Sequence, residues 1–131
     1  MHRQMRTAFT LVELVMVIVI IGLLAAVVIP RFGDMRSEAQ NAAETGAVSA
    51  VQSGVKLAYM TELAKGNGAY PSALDSATNG AASSTNPLFT SVIDGGVTDP
   101  NWEKTGANAY KYKPTTHAYT YTPATGTFAR S

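Results

Sequence analysis

The chain of 131 residues contains no cysteine. That excludes a disulfide framework, thiolate catalysis and cysteine-ligated metal, but leaves the compartment open, because an exported protein can do without disulfides. Histidine is scarce. Only His2 and His117 are present, and His117 falls in a strand pattern with no acid near it in sequence, so neither a catalytic triad nor a histidine metal site is expected. The acids Asp75, Asp94 and Asp99 fall in loop segments. The reading is therefore of a non-enzyme without cofactor or metal. Charge is sparse and balanced, ten basic residues against nine acidic ones. With no basic stripe, a specific nucleic-acid partner is not expected. The sharpest scarcity is local: between Leu14 and Ile29 there is no charged residue and no hydroxyl.

That gap lies inside "TAFTLVELVMVIVIIGLLAAVVIPRF", residues 7–32. The 21 residues from Phe9 to Ile29, at about 1.5 Å per helical residue, match the thickness of a bilayer's hydrocarbon layer of roughly 30 Å. Arg3 and Arg6 precede the run, which predicts a cytoplasmic N-terminus and an external body. A cleaved secretory signal would place its small-residue site after the apolar core, whereas Ala8 comes before it. A plain anchor leaves Glu13 unexplained, since a carboxylate at membrane depth costs about 3 kcal/mol without a partner. No basic residue lies within helical reach inside the run.

"AFTLVEL" followed by this apolar run resembles the N-terminal methylation motif of type IV prepilins and of the pseudopilins of type II secretion. The resemblance implies cleavage between Ala8 and Phe9 by a prepilin peptidase, N-methylation of Phe9, and a glutamate fifth after the cut, which is Glu13. Alanine stands here where the family usually has glycine. It also implies the missing partner: the methylated amine of Phe9, in the same or a neighbouring subunit, neutralises Glu13 in the low-dielectric layer. Gly22 and Pro30 match the family's helix-loosening glycine and helix-kinking proline. Pro30 removes the amide that would bond the Ala26 carbonyl, so a kink or local melting is expected there.

From Arg31 to Ala64 the pattern is amphipathic, with Met35, Ala39, Ala42, Val48, Val51, Val55, Ala58, Tyr59 and Leu63 recurring at three- and four-residue steps. Asp34, Glu38, Glu44, Gln52, Lys56 and Glu62 lie mostly off that stripe. "KGNGAYPSALDSATNGAASSTNP", residues 65–87, ends the helix at Gly66 and reads as a surface loop. "PLFTSVI" reads as a short strand or helical turn. "DGGVTDPNWEKTGAN" reads as a loop with Trp102 as a packing anchor. "AYKYK", "AYTYT" and "GTFAR" alternate as three antiparallel strands, placing Tyr110, Tyr112, Tyr119, Tyr121 and Phe128 on one buried face against Val51, Val55 and Tyr59. The shortest turn, through Thr115 and Thr116, pairs Tyr112 with Tyr119 and Tyr110 with Tyr121. A four-residue loop would shift that register by two.

The expected fold is α+β: a long N-terminal helix packed on a small C-terminal antiparallel sheet, as the pilin resemblance implies. The expected division is 1–8 leader, 9–30 membrane and filament-core helix, 31–65 amphipathic helix, 66–131 head. The resemblance further implies a structural subunit that polymerises with itself from the bacterial inner membrane. Its partners would be the prepilin peptidase, an inner-membrane assembly platform and, before assembly, lipid. A type II secretion pseudopilin is the alternative, because "TDPNW" and "YKY" are similar to that class, although "TPATGTFARS" lacks the acids of its calcium site. A monomeric membrane-anchored binding module is the competing class.

Overall fold

The computed structural model describes residues 10–131. They divide into two units, one ending at Ala39 and the other running from Gln40 to Ser131. Helix α1, Leu11–Ala64, belongs to both.

In the first unit α1 is the only element described, and every residue from Thr10 to Ala39 is exposed. Helical structure continues through Pro30 without interruption. An 18-residue window of this helix reaches a mean hydropathy of 3.1 with none of it buried.

The second unit holds the rest of α1 and five strands: β1 (Gly80–Ala81), β2 (Trp102–Gly106), β3 (Ala109–Tyr112), β4 (His117–Thr122) and β5 (Thr127–Arg130). They form an antiparallel meander in sequence order. Two strands exceed the three expected. β2 lies in the segment read as a loop; its Trp102 and Lys104 both point inward, and a lysine on the apolar side hid the alternation. A bulge between Lys104 and Gly106 ends its regular pairing with β3.

The helix stops where expected. Gly66, at φ 89°, follows Lys65, and the amides of Gly66 and Asn67 bond the carbonyls of Leu63 (3.0 Å) and Glu62 (2.9 Å). This is a Schellman closure, in which a glycine in the left-handed region lets the chain turn back onto the last carbonyls.

The five aromatic rings of β3, β4 and β5 do share one buried face, and Thr120 and Thr122 point outward. Tyr121 pairs with Phe128. The β3–β4 register is the shifted one: Tyr110 opposes Tyr119 and Tyr112 opposes His117. The two-residue turn fails because Thr-Thr resists the positive φ needed at both of its central positions. The chain instead uses four residues, Lys113 to Thr116, and only Thr116 enters the left-handed region, at φ 60°. The β4–β5 loop, Pro123 to Gly126, has the same length and places Gly126 there, at φ 65°.

Trp102 is the expected anchor, packing edge-on to Phe89 at 5.7 Å and tilted against Tyr112 at 5.0 Å. Leu88 bridges Val97, and a helical turn follows at Val92 and Ile93, so "PLFTSVI" contains both forms. Of the apolar stripe on α1, Val51 and Val55 are fully buried in this core, while Met35, Ala39, Ala42 and Leu63 are exposed. Tyr59 does not join the aromatic core. It stacks on Tyr70 at 4.3 Å instead. Gly54 is used inside the chain: a Cβ there would sit 2.1 Å from the Val92 carbonyl oxygen, so the loop backbone rests directly on the helix.

Candidate assembly segment and buried polar clusters

Of the residues singled out in the sequence, Ala8 and Phe9 lie outside the described residues. Glu13 stands in the first turn of α1, exposed. Its Oε2 accepts the Thr10 amide at 3.2 Å, and its own amide donates to the Thr10 hydroxyl at 3.3 Å. This is a capping box, in which a threonine and a glutamate three residues on satisfy each other's orphan amides. The spacing Thr10-x-x-Glu13 is the sequence signal for this cap. Gly22 has open space around it, and Pro30 lies in the helix interior.

The second unit holds two polar clusters that the sequence did not announce. Glu44, grouped above with the residues off the apolar stripe, is buried, and its Oε1 accepts both the Tyr119 hydroxyl at 2.5 Å and His117 Nδ1 at 2.8 Å. His117 therefore does have an acid beside it, brought from a helix 73 residues earlier. Burial alone would push the Glu44 carboxyl up, but the hydrogen bonds from Tyr119 and His117 outweigh it and hold the group below its ordinary value. The buried Thr115 hydroxyl makes no hydrogen bond of good geometry.

Asp75 is also buried, although it lies in a loop. Its Oδ1 accepts Lys104 Nζ at 2.5 Å and the Ala77 amide at 3.1 Å; its Oδ2 accepts the Phe89 amide and the Tyr110 hydroxyl, both at 2.9 Å. Lys104 also donates to the Ala77 carbonyl at 2.9 Å. Both charges are paired and both carboxylate oxygens accept two bonds, which is the condition for burying an ion pair at tolerable cost. Burial first, then the Asp75 charge and hydrogen bond, push the Tyr110 hydroxyl far up, so it remains a donor. No group of three or more histidine, aspartate or glutamate residues suited to a metal ion occurs among the described residues.

Residues 3–29 match the family described as the prokaryotic N-terminal methylation motif. The chain therefore carries an N-terminal methylation motif. That motif ends before Pro30, so it covers only the apolar half of α1 and speaks for none of the strands. A curated relative, the type IV narrow pilus major component PilA5 of Thermus thermophilus, is 47% identical over 58 residues, which are 44% of this chain and 48% of the relative. The chain thus spans about half the length of the relative it matches. No solved structure matches it. The architecture itself, one long apolar helix and a small antiparallel sheet, is the α+β fold expected from the sequence.

Proposed function

We propose that this chain is a structural subunit of a type IV pilus-like filament. The observation that carries the reading is the pairing of the methylation motif with an apolar helical span of which nothing is buried among the described residues. A surface of that kind demands lipid or other helices around it. In this reading a prepilin peptidase removes residues 1–8 and the new amine of Phe9 is methylated. The span rests in the inner membrane with the head outside, and an inner-membrane assembly platform moves it into a homopolymer. Residues 9–30 then form the filament core, 31–65 the amphipathic continuation and 66–131 the head. The name of the Thermus relative, a major pilus component, supports a polymerising role over a monomeric anchor.

Glu13 and the Phe9 amine form the charge pair that admits a subunit to the core; either one alone strands a charge in a low-dielectric layer. Gly22 and Pro30 make the stretch between them the part of the helix that can lengthen when subunits pack or are pulled, because Pro30 leaves a carbonyl without its helical amide. The direct test is the intact mass of sheared filament together with the filament yield of Glu13→Ala. Mature chains beginning at methylated Phe9, with a variant that inserts but does not polymerise, are the expected results. Filament that retains Met1, or wild-type yield from the variant, overturns the reading.

A further inference from the structure

The Asp75–Lys104 cluster has more in it than an ion pair needs. Both side chains are almost fully buried, 0% and 7% exposed. Their contact of 2.5 Å is shorter than the roughly 2.7–2.9 Å of ordinary charge-assisted N–H···O bonds. Lys104 is the single buried lysine of the described residues, and its second bond, to the Ala77 carbonyl, fixes the amine beside Asp75 Oδ1. Two donors, the Phe89 amide and the Tyr110 hydroxyl, converge on the other carboxyl oxygen, Oδ2. One oxygen held by two fixed donors beside a nucleophilic nitrogen is the arrangement that stabilises an oxyanion at a carbonyl carbon.

We propose that Lys104 and Asp75 condense into an intramolecular amide bond that locks the irregular segment after α1 onto strand β2. Within the buried pair one proton passes from Nζ to Oδ1, leaving a neutral amine and a carboxylic acid. The Nζ lone pair attacks Cγ, and the negative charge gathers on Oδ2 between the Phe89 amide and the Tyr110 hydroxyl. A second Nζ proton moves to the Oδ1 hydroxyl, where the Ala77 amide already donates. The Cγ–Oδ1 bond then breaks, water leaves, and the carbonyl re-forms at Oδ2. One hydrogen stays on the amide nitrogen. No oxidant, cofactor or second substrate is consumed, and effective concentration replaces activation, as it does wherever reacting atoms are held in place.

The product is neutral, so the buried charges disappear along with the cost of keeping them from water. It also closes a loop of chain between residues that stand 29 apart, in a protein that has no cysteine with which to make a disulfide cross-link.

The test is high-resolution mass measurement of the full chain purified in detergent and then denatured. The expected mass is lower than that of the sequence by one water, and protease digestion yields a branched peptide joining Asp75 to Lys104. Lys104→Met, whose mass is read in the denatured state and so does not depend on folding, must restore the lost water. Tyr110→Phe keeps the ring and removes one oxyanion donor, and a mixture of linked and unlinked chain is expected from it. A wild-type chain at full mass with separate Asp75 and Lys104 peptides overturns the proposal, as does a water loss that persists in Lys104→Met.

Discussion

Glu44 on α1 and His117 at the start of β4 are joined at 2.8 Å, and the same carboxylate oxygen accepts the Tyr119 hydroxyl. One helical residue thereby fastens the β3–β4 hairpin, whose loop holds the buried Thr115 hydroxyl. Replacing Glu44 with alanine strands two donors, and removing one member of such a buried set costs about 3 kcal/mol. The carboxyl is held below its ordinary 4.5, so its contribution is present above that value and declines as pH falls through the lowered one. Thermal melts followed by near-ultraviolet circular dichroism check this: Glu44→Gln flattens the acid side of the stability profile.

The tyrosines predict the opposite limb. Burial raises Tyr110, Tyr112, Tyr119 and Tyr121, with Asp99 and Glu44 adding to it at Tyr112, and Glu44 at Tyr119, which is pushed up to about 12. A group with a raised folded value contributes stability that is complete below its unfolded value of 10.0 and is lost as pH rises through the folded one. Ultraviolet titration of the folded chain therefore shows four tyrosines resisting ionisation at their ordinary pH. Their release coincides with loss of the near-ultraviolet signal.

Two glycines of α1 give a paired prediction. At Gly54 an added Cβ meets the Val92 carbonyl, whereas at Gly46 it meets nothing. Gly46→Ala should stabilise the helix by about 0.5–1 kcal/mol. Gly54→Ala forces loop and helix apart and costs about 1–3 kcal/mol. Denaturant midpoints of the two variants should move in opposite directions.

Thr116 carries a local strain that Gly126 avoids at the matching position of the next hairpin. A β-branched residue in the left-handed region costs about 1–2 kcal/mol. Thr116→Gly recovers part of that cost, while Gly126→Thr both adds it and drives a Cβ to 2.2 Å from the Tyr70 ring. The measurement is again the melting temperature, raised in the first variant and lowered in the second.

What could be read in the sequence was whatever depends on neighbours along the chain. The apolar run, the Gly66 stop, the alternating tyrosines and the Trp102 anchor follow from helical and strand periods. The burial of Glu44, Asp75 and Lys104 could not be read, because each is acceptable inside only beside partners from distant segments. The hairpin register turned on the backbone preference of two threonines, which sequence narrowed to two options without choosing. At the N-terminus the cap is local: Thr10 and Glu13 stand three residues apart and satisfy each other's amides, so that contact is legible in the sequence.

That cap supplies the sharpest test of the assembly reading. In the proposed reading Glu13 has two chemically separable roles: an acceptor for the Thr10 amide, and a charge for the amine of a mature Phe9. Glutamine sustains a capping box as glutamate does, but it cannot neutralise a cation. Glu13→Gln should therefore keep α1 helical from Leu11 onward and leave membrane insertion intact, since the span becomes more apolar, yet filament yield should fall nearly as far as with Glu13→Ala. Thr10→Val does the converse: it removes the hydroxyl half of the cap, at a cost of about 1 kcal/mol, and leaves the carboxylate free to pair. Its yield should stay near wild type. Quantifying sheared filament beside membrane-fraction subunit for the three variants decides the matter, because a full yield from Glu13→Gln would assign Glu13 to helix capping alone and remove charge pairing from assembly.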